Sequence, residues 1–186
     1  MVPVTSLWMP ILLSAVIVFV ASSVIHMVFT YHRTDTAPVP KEDAAMDALR
    51  SLSLAPGDYA LPCAGSMKEA QTPAFAEKRT RGPVAFITVV PSGPPSMGKP
   101  LAQWFIYSVV VSLFAAYIAG RALAPGVHYL QVFRFVGCTA FIGYSLALWQ
   151  QSIWYGRPWM TTLKSTIDGL IYGLLTAGTF GWLWPR

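Results

Sequence analysis

The sequence predicts an all-α membrane protein: a four-helix transmembrane bundle with a small α/β hydrophilic cap between the first and second spans. Three observations carry that expectation. Hydrophobic residues make up 54% of the 186 residues and charged residues only 11%, where a soluble domain holds about 25% charged. The mean hydropathy is +0.50, and the apolar residues are gathered into four long runs rather than spread along the chain. Seven Trp and eight Tyr are the number expected when amphipathic rings line two bilayer interfaces.

The first run covers residues 7–29, within a first segment 1–30, and His26 is its only titratable residue. A helix rises 1.5 Å per residue, so the run spans the ~30 Å hydrocarbon core. No basic residue precedes it and it outlasts a signal-peptide core, so it reads as an uncleaved anchor. The second span is placed at about 101–121 and meets no charge before Arg121. Ala124, Pro125 and Gly126 form a turn, and the third span follows at about 132–154, with Arg134 at the headgroups where its stem can snorkel. The fourth, about 162–184, holds Lys164 and Asp168 near its start and is closed by Pro185. Residues 101–186 thus supply three of the four spans.

Residues 31–100 are hydrophilic and are read as the cap. Residues 40–52 suit a short helix, with Met46 and Leu49 on one face. Ser66 and Glu69 fit a capping box, and Thr72-Pro73 a cap with a first-turn proline. The β-branched, apolar residues 84–90 predict a strand pairing with residues 59–61. Residues 91–100, rich in Pro, Gly and Ser, predict an extended connector. The apolar content is thin for an independent core.

Four spans put both termini on one side. Ten of the 13 basic residues then fall on the loop side, against Arg121, Arg134 and Arg186. Counting only the span-flanking Arg33, Lys41, Lys99, Arg157 and Lys164 still gives five against three. The positive-inside rule places the loop in the cytoplasm and both termini outside.

Hydrophobicity does not hold one span against another in lipid; close backbone approach does. Small residues recur every four positions as Ser108, Ser112, Ala116 and Gly120 in the second span and as Gly169, Gly173, Ala177 and Gly181 in the fourth. Gly143 lies in a similar ribbon of the third. These are the candidate helix-packing residues. They can face a neighbouring span or a second copy of the chain, so a homo-oligomer or a membrane-protein partner stays open.

Ionisable groups inside a membrane are costly and mark functional sites by default. His26, Lys164 and Asp168 fall at the same end of their spans, with Gln103 and Gln150 at that level, so a polar cluster is geometrically possible. It could bind a cation or relay a proton. The competing expectation is structural: Lys164 and Asp168, four apart on one helix face, pair locally, and His26 bonds a neighbour.

Other chemistry finds no foothold. His26, His32 and His128 are scattered, and no CxxC or HExxH spacing appears, so neither metal nor cofactor is expected. Cys63 and Cys138 lie in unlike segments and suggest no disulfide framework. No GxSxG, phosphate-binding loop or paired catalytic carboxylates are present, so no catalytic residue is assigned. The net charge of +5 is not gathered on one face, which argues against nucleic acid. The lipid bilayer is the one partner the composition itself implies.

Residues 145–155 and 162–173, together with Ser23-Val-Ile-His-Met27 and Pro94-Pro-Ser-Met-Gly98, resemble segments of a group of uncharacterised bacterial inner-membrane proteins. The resemblance implies a bacterial inner membrane and a similar order of spans, and no activity. The expectation is a non-enzymatic accessory or structural membrane component. The alternative is a small channel or transporter using the His/Asp/Lys cluster.

Overall fold

The structure, a computed structural model, describes residues 1–186. It is mostly helical with one two-stranded sheet. The chain divides into two compact units, Met1–Thr36 with Ser96–Arg186, and Ala37–Pro95.

In the first unit, a 3-10 turn over Val4–Leu7 leads into α1, Trp8–Met27. Pro10 sits in its first turn, where the missing N–H costs nothing. One stripe of α1 is buried, through Ile11, Ala15, Val18, Ser22 and Ile25. The opposite stripe, Leu12, Val16, Val20 and Val24, is exposed. A helix apolar all round with one face uncovered suits lipid rather than water.

The second unit follows. It holds α2 (Glu42–Ser51), α3 (Met67–Ala70) and α4 (Pro73–Arg81), with β1 (Gly57–Leu61) antiparallel to β2 (Ala85–Val89). Tyr59 faces Ile87 and Leu61 faces Ala85, the expected pairing. Ser66 accepts from the Glu69 N–H and Thr72 from the Phe75 N–H, so both expected caps form. The Glu69 carboxylate departs from the capping box by taking the Gly65 N–H instead of that of Ser66. Phe75 is the unit's only buried residue, so its core is as thin as its composition implied.

The chain returns to the first unit with α5, Gly98–Ala122. This helix starts inside the expected connector, with Pro100 in its first turn. Then come α6 (Tyr129–Ser145), a 3-10 turn over Leu146–Leu148, α7 (Trp149–Tyr155) and α8 (Trp159–Trp182). The third span is therefore not one regular helix. It tightens after Ser145, whose hydroxyl turns across to the Thr166 carbonyl on α8 at 3.4 Å. Gly156, in the left-handed conformation at φ 68°, ends α7.

Hydrogen bonds gather both termini at one end of the bundle. The Val2 N–H donates to Gly120 O (2.7 Å), and the Gly126 N–H donates to Pro185 O (2.9 Å). Trp184 Nε1 donates to Ala124 O (3.0 Å). The four long helices therefore run up, down, up and down. Ala-rich contacts fill the core at this end: Ala115, Ala116, Ala119 and Ala177 surround Val132, Val136 and Phe180.

The small-residue ribbons point inward to helices of the same chain. A Cβ on Gly173 would lie 3.2 Å from the Phe141 backbone N on α6, and one on Gly143 3.1 Å from Val111 on α5. One on Gly169 would collide with Ser145, and one on Gly120 would stand 2.5 Å from Val2 O. Ser112 bonds Ser14 of α1 at 2.9 Å. Ser108, Ala116 and Ala177 are fully buried, and Gly181 backs onto Tyr129.

Three segments are long and apolar enough to cross a membrane: Val4–Met27, Gly98–Ala122 and Tyr129–Tyr155. The expected fourth does not meet that measure. At 24 residues α8 is long enough, but Lys164, Asp168 and five Thr dilute it.

Candidate functional site

Beyond α1 the chain does not move straight into the hydrophilic segment. It turns once more as a short 3-10 helix, Tyr31–Thr34, closed by Arg33 N–H to Thr30 O and Asp35 N–H to His32 O, both 3.0 Å. That turn lays Tyr31, His32 and Asp35 against the first turns of α8, where Lys164 and Asp168 share a face by their four-residue spacing.

His32 is the hub. Its Nε2 bonds Asp168 Oδ2 at 2.7 Å and its Nδ1 bonds Asp35 Oδ2 at 2.6 Å. The Tyr31 hydroxyl donates to the other Asp168 oxygen. Lys164 spends all three donors, on Asp35 Oδ1 (2.8 Å), Tyr31 O (2.6 Å) and Thr34 Oγ1 (2.7 Å). The pairs are largely withdrawn from solvent: the Asp168 side chain is 5% exposed and that of His32 14%. Both ring nitrogens of His32 meet carboxylate oxygens, so the ring stands between the two aspartates while Lys164 holds Asp35 from the other oxygen.

The electrostatics follow from these contacts. Burial pushes the Asp35 carboxyl up, but hydrogen bonds and charge from His32 and Lys164 outweigh it and hold the group below its ordinary range. Burial, then the bond to Asp168, pushes the Tyr31 phenol up.

His26 lies on the last turn of α1 with its ring stacked on His32, centroids 4.6 Å apart and planes 7° from parallel. Its Nδ1 meets Ser22 O at 3.0 Å. A carbonyl only accepts, so Nδ1 carries a proton. The Ser22 hydroxyl accepts from Trp104 Nε1 of α5 at 2.8 Å. The network therefore joins α1, the 3-10 turn, α5 and α8. His26, His32 and Asp168 offer ligand atoms within 4.8 Å of one another.

Of the sequence-expected cluster, the structure brings together His26, Lys164 and Asp168. Gln103 and Gln150 are exposed and take no part in the bonds described. The local Lys164–Asp168 pair does not form: Lys164 binds Asp35, and Asp168 binds Tyr31 and His32. An i,i+4 pair is worth only a few tenths of a kcal/mol, and the 3-10 turn offers several better bonds. The histidines are not scattered in space, since His26 and His32 touch; His128 alone lies apart, capping α6 through the Leu130 N–H. Sequence reasoning missed Tyr31, His32 and Asp35, having assigned them to the loop. The available signal was a Tyr-His-Arg-Thr-Asp run directly after an apolar span, with His32 and Asp35 one turn apart.

In comparison with known proteins, no family model, no curated protein and no solved structure matches this chain.

Proposed function

We propose that the chain is a four-span, non-enzymatic accessory or structural component of a bacterial inner membrane, with its long loop in the cytoplasm and both termini outside. The polar network is the clasp that fixes the exit of the first span against the start of the fourth. The observation that carries this reading is His32 held between Asp35 and Asp168 while Lys164 is fully bonded. Every charge there is spent on joining one segment to another.

Assigning α8 as the fourth span rests on its two faces. Thr162, Asp168, Thr176 and Thr179 are buried, while Leu163, Ile167, Leu170 and Leu174 are exposed. Polar groups facing neighbouring helices lower its average apolarity without exposing a polar face to lipid. The bacterial inner membrane rests on the resemblance noted above, and the sidedness on the excess of basic residues by the loop.

A second reading, a small channel or transporter, draws on one observation: His26, His32, Tyr31 and Asp168 form a run of groups able to exchange protons. Proton flux into liposomes containing a trapped pH-sensitive dye separates the two. The structural reading expects vesicles with the reconstituted chain to leak protons no faster than empty ones, and His32→Gln to lower thermal stability. Flux that Asp168→Asn abolishes in a folded protein would overturn it in favour of the second.

A further inference from the structure

We propose that His26, His32 and Asp168 form a binding site for one divalent transition-metal ion of the zinc type. The site goes beyond the structural reading and does not depend on it, since a metal could occupy the clasp whether or not the chain conducts protons.

Four features of the geometry converge. The three residues come from three elements, α1, the 3-10 turn and α8, yet their ligand atoms lie within 4.8 Å of one another. Both histidines carry the outer bond that a metal-binding imidazole needs. His26 donates Nδ1–H to Ser22 O at 3.0 Å, and His32 donates Nδ1–H to Asp35 at 2.6 Å. At His26 that bond leaves Nε2 as the lone pair, and at His32 it holds the ring with Nε2 facing Asp168; carboxylates and carbonyls supply the same device to metal-ligating histidines elsewhere. Asp168 is oriented in the same manner, with one oxygen held by Tyr31 and the other aimed at His32 Nε2. Finally, the charge suits a cation: two carboxylates, Asp35 and Asp168, stand at the cluster beside one ammonium, Lys164.

Binding is an exchange that balances. The proton between His32 Nε2 and Asp168 Oδ2 departs to water, and the ion takes its place. Those atoms are 2.7 Å apart, and ligands of a tetrahedral ion at ~2.0–2.1 Å stand about 3.3 Å apart, so they part by about 0.6 Å. His26 completes the set by tilting out of its stack. It is exposed and held only at Nδ1, so it has freedom to do so. Its exposure also leaves a fourth position open to water. Two imidazoles and one carboxylate favour zinc, cobalt, nickel or ferrous iron over magnesium and calcium, which take oxygen ligands.

The test uses the full chain, purified in detergent, freed of any affinity tag and stripped with a chelator. Titration with Co2+ should produce the visible absorption of a low-coordinate ion at one equivalent per chain, and Zn2+ should bleach it. His26→Gln should weaken Co2+ binding by at least about tenfold while the metal-free thermal midpoint stays within about 2 °C, because His26 contributes one backbone bond to the clasp. Asp168→Asn should weaken binding as well. Absence of the absorption, or unchanged Co2+ affinity in a folded His26→Gln protein, would overturn the site. Either result leaves the clasp standing, since its bonds need no ion.

Discussion

Replacing Asp168 with alanine removes the acceptor on which the clasp converges. The Tyr31 hydroxyl and His32 Nε2 lose their partner together, and His32 is left beside Asp35 alone. Hydrogen bonds to charged groups are worth about 1.5–3 kcal/mol each, and breaking a buried pair costs about 3–5. Polar contacts between membrane helices measure lower, about 0.6 on average and 1.7 at most. The clasp lies at the helix ends and withdraws both side chains almost fully from solvent, at 5% and 14% exposed. A loss of about 3 kcal/mol therefore follows, between those limits. For a chain of this length that lowers the thermal midpoint by about 6–12 °C. Asp168→Asn keeps the volume and one acceptor and should lose roughly half as much. The assay is thermal unfolding in a mild detergent, followed by helical circular dichroism. A midpoint for Asp168→Ala within about 1 °C of the parent would refute the reasoning. So would additive effects of Asp168→Ala and His32→Ala, since contacting residues should couple by about 0.5–3 kcal/mol.

Three further expectations follow from the packing. Gly169→Ala should destabilise by about 2 kcal/mol, because its Cβ would meet Ser145 and lie 3.1 Å from Tyr144 Cβ in a rigid contact; Gly181→Ala should be near neutral, because the half-exposed Tyr129 ring it meets can swing away. Equilibrium unfolding that ranks them in the opposite order would count against the α6–α8 interface described here. Ser14→Ala should cost about 0.5–1.5 kcal/mol by orphaning the Ser112 hydroxyl, Ser112→Ala should cost less because Ser14 keeps its bond to Ile11 O, and the double variant should cost less than their sum; strictly additive losses would deny the pair. Arg50→Ala, which breaks an exposed pair with Asp47 in the hydrophilic unit, should leave the melting curve unchanged within error.

Much of the bundle was legible because lipid imposes a blunt rule. A twenty-residue run as predominantly apolar as α1 has few alternatives, and the spacing of Gly169 and Gly173 points to a close helix contact. The β-branched run 84–90 marked the strand that pairs with residues 59–61, and the caps at Ser66 and Thr72 were readable for a similar reason, as each depends on a few neighbouring residues. Two features were not. The break after Ser145 falls where its hydroxyl meets the Thr166 carbonyl, 21 residues away, a contact that no local pattern reveals. The clasp depends on Tyr31, His32 and Asp35 reaching residues more than 120 positions later. In sequence they read as the start of a polar loop, because polarity near a span end has many ordinary causes. Lys164 and Asp168 stand out as charges within an apolar run, and their four-residue spacing points each to the other on the same helix. The local pair was the simplest reading of the spacing, and the tertiary bonds overrode it.

The central claim is that the chain crosses the membrane four times, and its own cysteines allow a direct measurement. Cys63 lies in the hydrophilic unit, and Cys138 is exposed on α6 within the third span. Labelling with a membrane-impermeant maleimide, in spheroplasts and in inverted vesicles, reads the side of each thiol, and Arg186→Cys adds the C-terminus. Four crossings put Cys63 and Arg186→Cys on opposite sides; with the loop in the cytoplasm, Arg186→Cys reacts in spheroplasts, Cys63 reacts only in inverted vesicles, and Cys138, facing hydrocarbon, reacts in neither. Labelling of Cys63 and Arg186→Cys from the same side would mean that α8 does not cross, and the account would be contradicted.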